Sequence, residues 1–438
     1  MRWCDRPRRG FLSRFPTLYT SIVDAEIIAI GSELLTPYKQ DTNSLFLTER
    51  LNPLGIEVRF KSVVGDRRSD LVSVARIALS RAGLIIFMGG LGPTEDDLTR
   101  ECVAEALGIE LRRDPDLIAG LYKRFARFGS SMTPNNERQA DVLAGAEVLP
   151  NPNGSAPGQF LRTLSAGHEV MVVLLPGPPH ELKPMFDAEV AARLRSRNQK
   201  EFIAGRHLRV AMMGESLCDS RIAPIYTRHK EVETTILAGA GDISLHLRAR
   251  AASQALAEQR VDTLAEELED ALDEHVYSSK GESLEQVAGY FLQLRGASVA
   301  VAESCTGGLI SERITSVPGS SRFFLGGAVA YSNELKSQFA GVSPQMLEDY
   351  GAVSPQVARA LAEGIRARCG STYGIGVTGI AGPAGGTAEK PVGLVYHAVA
   401  DGKNSEVVER KFLGDRERVR AWAAQQALDM LRRRLMKQ

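Results

Sequence analysis

Ser304 and Lys336 are the residues whose chemistry defines the C-terminal half of this chain. A hydroxyl and an amine are the parts of a hydrolytic nucleophile and its base. A free lysine has a pKa of ~10.4 and is a poor base at neutral pH. Burial beside apolar groups lowers that value and frees the lone pair. Tyr331 lies about a helical turn upstream of Lys336, placed to relay a proton or orient the amine. Cys305, next to Ser304, is intrinsically more nucleophilic. Neighbours in an extended segment point opposite ways, so a Ser304 that faces a pocket leaves Cys305 as a small buried residue. Two blander readings stand beside this one: Ser304 as a helix N-cap, and Lys336 as a solvated residue or phosphate contact. His397 sits inside a strand pattern and reads as a packed residue.

The apolar run Ala297-Ser298-Val299-Ala300-Val301 precedes Ala302-Glu303-Ser304-Cys305-Thr306-Gly307-Gly308, and Leu309 to Thr315 can continue as a helix. Strand, glycine turn and helix start are thus predicted in that order. Free N–H groups and the helix dipole at such a corner favour an anion. In the N-terminal half, Gly89-Gly90-Leu91-Gly92-Pro93-Thr94-Glu95-Asp96-Asp97-Leu98-Thr99 joins a strand to a helix in the same manner. Its glycine amides can cradle phosphate. Asp96 and Asp97 read equally as acids capping the helix start or as ligands of a divalent metal, which would favour attack by water on a pyrophosphate. Asp41 reads as an N-cap, and Ser32, Glu33, Asn43, Asn135, Asn136, Glu137 and Gln139 come from other loops on the same expected edge.

The elements that must hold these groups follow from hydrophobic pattern. Strands at Ala25 to Ile30, Glu57 to Val64 and Leu84 to Met88 alternate with helices at about Thr42 to Leu54 and Arg67 to Arg81, which predicts a parallel sheet covered on both faces. Two more strands and a helix starting near His180 complete this part. A small α+β segment follows, with a strand at Leu208 to Met212, a helix at Ser216 to Tyr226 and a strand at Asp242 to Arg248. A third part runs from a helix at Leu284 to Gln293 to a terminal helix near Arg416 to Leu435. The organisation expected is residues 1–22 as a basic leader, 23–198 as the first domain, 199–278 as a connector and 279–438 as the last domain. The fold class is α/β and multi-domain, with a doubly wound N-terminal sheet.

Composition narrows the partners. Lys plus Arg and Asp plus Glu are 53 each in 438 residues, so no global field draws the chain to nucleic acid or an anionic membrane. No apolar run approaches the roughly 20 residues that cross a bilayer. Five scattered cysteines without a C-x-x-C pair argue against a disulfide framework or zinc site and for reduced cytosolic thiols.

Several motifs, in order, resemble the CinA family. They are Gly31-Ser32-Glu33-Leu34-Leu35, Asp41-Thr42-Asn43-Ser44, the run from Gly89, Gly154-Ser155-Ala156-Pro157-Gly158 and Leu175-Pro176-Gly177. This half is similar to molybdopterin-binding domains, and the resemblance implies a pyrophosphatase acting on ADP-ribose with a divalent cation of the Mg, Co or Mn class. After Leu35 the family usually has a glycine-containing stretch, where this chain has Thr36-Pro37-Tyr38-Lys39-Gln40. Ala302 to Gly308, Tyr331-Ser332-Asn333 with Lys336, Gly351-Ala352-Val353-Ser354, Thr378-Gly379-Ile380-Ala381-Gly382-Pro383 and Lys390-Pro391-Val392-Gly393 resemble the nicotinamide mononucleotide (NMN) deamidase domain of the same family.

That resemblance implies an amidohydrolase needing no cofactor, with Ser304, Lys336 and Tyr331 catalytic. Thr306, Gly307 and Gly308 are expected on the ribose phosphate, Thr378 and Gly379 on the nicotinamide or ribose, and Arg420 or Arg416 on the phosphate. Gly90, Gly92, Thr94 and Asn43 are expected to bind the N-terminal substrate, and Asp96 and Asp97 its metal. The connector is similar to K-homology folds, but Met212-Met213-Gly214-Glu215 is not a G-x-x-G clamp, so no nucleic-acid partner is expected. The protein is expected in the cytoplasm, as a homodimer acting on NMN and ADP-ribose. A non-catalytic protein sensing the same nucleotides is the alternative.

Overall fold

The computed structural model describes residues 24–127, 129, 131–165, 167–195 and 202–437. The expected leader at 1–22 and the expected boundary between 198 and 199 lie outside the described residues. The chain forms two compact units, one of Met1–Ile203 with Arg250–Ala257, the other of Ala204–Ala249 with Glu258–Gln438.

In the first unit the elements run β1 (Asp24–Ile30), α1 (Asn43–Leu51), β2 (Glu57–Val64), α2 (Arg68–Arg81), β3 (Leu84–Met88), α3 (Thr99–Leu107), β4 (Leu111–Arg113) and α4 (Pro115–Arg127). β5 (Asp141–Leu143), β6 (Glu147–Leu149), β7 (Gly158–Ser165), β8 (His168–Leu175), α5 (Pro179–Met185) and α6 (Ala191–Arg195) follow. Six strands form one sheet in the order β2-β1-β3-β8-β7-β6. Successive side chains of β1, β3 and β8 point to opposite faces, and both faces are covered. Ile28, Ile85 and Val172 pack with Leu71, Ala75 and Val103 on one side. Ile27, Ile86 and Val173 pack with Leu47, Leu51 and Leu182 on the other. This is the doubly wound arrangement. The parallel arrangement expected of the first three strands holds: β2, β1, β3 and β8 are parallel, and β7, from the later segment, runs antiparallel to both β8 and β6. β7 ends at Ser165 and β8 begins at His168, too few residues apart for the crossover a parallel pair requires.

The chain continues with β9 (Phe202–Ala211), α7 (Glu215–Tyr226), β10 (Val232–Ala238), β11 (Asp242–Ala251), α8 (Gln254–Leu272) and β12 (Val276–Ser278), which apart from residues 202–203 and 250–257 belong to the second unit and form a sheet ordered β10-β11-β9-β12. It continues through α9 (Leu284–Leu294), β13 (Val299–Glu303), α10 (Leu309–Ser316), β14 (Phe324–Val329), α11 (Asn333–Ala340), α12 (Pro344–Tyr350), α13 (Pro355–Cys369), β15 (Tyr373–Gly379), β16 (Leu394–Ala400), β17 (Ser405–Lys411) and α14 (Arg416–Met436). The five-stranded sheet is ordered β14-β13-β15-β16-β17, with β14, β13 and β15 parallel and the last two strands antiparallel. Glycines let α13 approach closely: a Cβ on Gly376 would lie 2.3 Å from Ala358 O, and one on Gly364 1.7 Å from Ala340 O. α13 is thereby seated between β15 and the helix that carries Lys336.

In both units the loops after the parallel strands open on one sheet edge, where ligands bind in open α/β sheets. Among the described residues no helix is long and apolar enough to cross a membrane.

Candidate functional site

Ser304 follows the last residue of β13, and its N–H donates to Val377 O on β15 at 2.9 Å. On the other side Ala330 N–H donates to Glu303 O at 2.8 Å, so the segment Ala330-Tyr331-Ser332 leaves the sheet beside Ser304. Ser332 caps α11 by accepting from Leu335 N–H, which sets Lys336 on the first turn. Lys336 is 2% exposed, and among the described residues the one hydrogen bond its amine makes is to Tyr331 O at 3.2 Å. Burial lowers its pKa, against an opposing pull from Cys305 and Glu334. Tyr331 itself is exposed, and its hydroxyl accepts from Arg416 Nη2 at 2.9 Å. Arg416 Nη1 also donates to Gly382 O at 2.9 Å, tying the start of α14 to the loop after β15. Ser304, Tyr331, Lys336, Thr378, Gly379 and Arg416 therefore share one edge of the sheet. Cys305 faces the apolar core, where burial pushes its thiol up to about 12. His397 is wholly buried and pushed down to about 3 by burial.

One expectation fails here. The N–H groups at the start of α10 are not free for an anion, because Glu303 takes them. Its carboxylate, fully buried, accepts from Gly308 N at 3.0 Å, Ile310 N at 3.1 Å, Ser311 N at 2.8 Å and Ser311 Oγ at 2.7 Å. Gly307 N–H donates to Ser304 O at 3.1 Å. The amides of Gly307 and Gly308 thus hold the loop rather than a phosphate. Arg420 is committed too, donating to Thr306 O through Nε at 3.1 Å and Nη2 at 2.7 Å. The Thr378 hydroxyl donates to Ala352 O at 2.7 Å. The Thr306 hydroxyl is buried and without a partner among the described residues. Sequence reasoning missed Glu303 as a capping group. The signal was present: a carboxylate ending a buried strand just ahead of a glycine turn and a helix start has its complement in the helix dipole.

In the first unit, loops after β1, β3 and β8 enclose a cleft of about 780 Å³. Asn43, Gly90, Gly92, Thr94, Asp96 and Asp97 all line it, with Lys39 and Gln40 from the loop that departs from the family pattern. Asp41 accepts from Ser44 N–H at 3.0 Å, as an N-cap would. Asn43 Nδ2 donates to Gly177 O at 2.7 Å, joining α1 to the loop after β8. Asp97 Oδ2 accepts from Thr94 N at 2.9 Å, so this acid closes the turn before α3. The exposed Asp96 carboxylate is held below the ordinary carboxylate range, chiefly by a hydrogen bond with the Thr94 side chain. Among the described residues no group of three His, Cys, Asp or Glu side chains is placed to hold an ion alone. A hard cation of the Mg class bound by one or two carboxylates and by substrate phosphates fits this donor set.

Residues 26–196 match the model of a probable molybdopterin binding domain, 205–278 the damage-inducible protein CinA KH domain and 281–435 the CinA C-terminal domain. The chain is 60% identical over 412 residues to the CinA-like protein of Koribacter versatilis, covering 94% of this chain and 100% of that one. It is 59% identical over 412 residues to the CinA-like protein of Acidobacterium capsulatum, with the same coverage of 94% and 100%. It is 48% identical over 413 residues to the CinA-like protein of Solibacter usitatus, covering 94% and 98%. Identity at this level across 94% of the chain, with three domain models matched in order, places this protein in the CinA family.

Proposed function

We propose that the chain is a two-site hydrolase of pyridine-nucleotide salvage. In the C-terminal domain, Ser304 Oγ attacks the carboxamide carbon of NMN while Lys336 Nζ takes the hydroxyl proton. The C–N bond then breaks, and Lys336, oriented by the Tyr331 carbonyl, passes the proton to the leaving nitrogen, releasing ammonia. Water hydrolyses the acyl-serine ester, with Lys336 again as base, to give nicotinate mononucleotide. The sum is one amide and one water giving one carboxylic acid and one ammonia. The Thr306 N–H, which meets no protein acceptor among the described residues, is available to the oxyanion. The observation that carries this reading is the buried amine of Lys336 with a single carbonyl partner, on the sheet edge that presents Ser304.

In the N-terminal cleft the proposed reaction is hydrolysis of the ADP-ribose pyrophosphate to AMP and ribose 5-phosphate. A divalent cation of the Mg, Mn or Co class, held by Asp96 and Asp97, supplies charge neutralisation at the phosphoryl oxygens. The loop from Gly89 to Thr94 orients the phosphates, and Asn43 orients the rest of the ligand. The same reading makes the protein a cytoplasmic homodimer of small-molecule substrates, with neither nucleic acid nor membrane as partner. Zero net charge supports the last point.

The test is turnover by the full chain with NMN and with ADP-ribose plus each metal. Ammonia and AMP are the expected products. Tight binding of both nucleotides with neither product released would assign a sensing role instead.

A further inference from the structure

Three consecutive peptide groups in the loop after β3 have their carbonyls held from one side. Thr99 Oγ1 donates to Gly89 O at 2.8 Å, Thr99 N–H donates to Gly90 O at 3.2 Å, and Arg100 Nη2 donates to Leu91 O at 2.5 Å. In a trans peptide the C=O and the following N–H point in opposite directions. Pinning these carbonyls therefore turns the N–H groups of Gly90, Leu91 and Gly92 the other way. None of those three N–H groups meets a protein acceptor among the described residues. Gly89 at φ +102° and Gly90 at φ +64° supply the left-handed backbone that such a run of amides requires. There is no room to change this: a Cβ on Gly90 would lie 2.2 Å from Thr99 Oγ1.

Arg100 adds a second, independent anomaly. Arg100 is 1% exposed, and among the described residues it forms no ion pair with a carboxylate. Its Nε has no partner among the described residues. Glu101, Asp97 and Asp141 act on it only at longer range, against Arg138, and burial pushes it down to about 10. Buried charges are ordinarily paired. A bound anion on the far side of the loop would supply the missing counter-charge.

We propose that Thr99 and Arg100, the first two residues of α3, are positioning residues that build a three-amide nest for a doubly charged phosphoryl group of the ligand. Neither residue touches the ligand; both act through the loop. The inference rests on the proposed reading only in taking that phosphoryl group to belong to the pyrophosphate of the N-terminal substrate.

The test is calorimetric titration of the full chain with inorganic pyrophosphate and with orthophosphate, in magnesium. Losing one hydrogen bond that orients an amide is expected to weaken pyrophosphate binding about tenfold in Thr99→Val. Thr99→Ser keeps the hydroxyl and is expected to restore it. Arg100→Met is expected to weaken pyrophosphate several-fold more than orthophosphate, because the lost term scales with ligand charge, and Arg100→Lys recovers part of the difference. A role confined to folding would weaken both anions equally, and that result overturns the proposal for Arg100. Wild-type affinity in a folded Thr99→Val, or no pyrophosphate binding by the wild-type protein, overturns it outright. If Arg100→Met does not fold, the Thr99 pair decides. Pyrophosphate binding that follows this pattern without AMP release from ADP-ribose would retire the proposed reaction and leave the nest standing.

Discussion

Replacing Glu303 by glutamine separates the structural role of this carboxylate from its size. The side chain accepts four hydrogen bonds, three from backbone amides at the start of α10 and one from the Ser311 hydroxyl. Glutamine keeps one oxygen, so one pair of donors retains an acceptor. The other pair meets an NH₂ group, which cannot accept. Two charge-assisted bonds lost at about 1.5–3 kcal/mol each give about 3–6 kcal/mol. Relief from burying a carboxylate offsets part of this. A net loss of about 2–4 kcal/mol is expected, equivalent to roughly 4–16 °C in the melting of a unit of this size. Trp422 stacks on Phe412 at 5.7 Å in the same unit, so its fluorescence in a Trp3→Phe background reports that unit's unfolding in denaturant. A midpoint that moves by less than the equivalent of about 0.5 kcal/mol, the ordinary scatter of surface changes, would refute the reasoning. Ser304 is the next residue, so ammonia release from NMN is expected to fall in parallel.

The Lys336 base must be neutral to act, and its pKa lies below the ordinary lysine value, so kcat/KM for NMN is expected to rise with pH and level off below about 10.4; a limb still climbing above that value would contradict the burial argument. His397 stays neutral in the fold down to about 3, whereas the unfolded chain takes up a proton near 6.5, so unfolding becomes easier as pH falls below about 6.5. The expected loss is about 2 kcal/mol between pH 7 and pH 5, absent in His397→Phe, and acid titration of Trp422 fluorescence checks it. Gly364→Ala forces a Cβ onto Ala340 O at 1.7 Å, so α13 must shift and with it α11. Destabilisation of about 2 kcal/mol or more and slower ammonia release are expected, measured by melting and by product assay.

The strands that build the two sheet cores were legible because they are β-branched runs buried on both faces, as at Leu84–Met88 and Val299–Glu303. The elements that sequence pattern did not mark are of another kind. β14 carries Gly326-Gly327 in its middle, which erases the apolar signature of a strand. β17 and β10 are partly solvated and alternate charged or polar residues, so they resemble loops. At the C-terminal site the residue types at the strand ends were legible, since serine, lysine and glycine are unusual in such company. How the loop meets its donors was not. Glu303 caps α10 from within, and Arg420 spends its fork on Thr306 O, contacts that depend on three-dimensional approach across the chain. In the N-terminal cleft, Asp96 and Asp97 stood out as acids, whereas Thr99 and Arg100, the first two residues of α3, drew no reading. Their work is done through backbone carbonyls, which no side-chain pattern reveals.

The most direct test of the central claim compares ammonia release from NMN by Ser304→Ala and by Cys305→Ala. With the hydroxyl as nucleophile and the thiol packed in the core, Ser304→Ala is expected to show no release above the uncatalysed rate while Cys305→Ala stays active. Full turnover by Ser304→Ala, with activity lost in Cys305→Ala, would contradict the account.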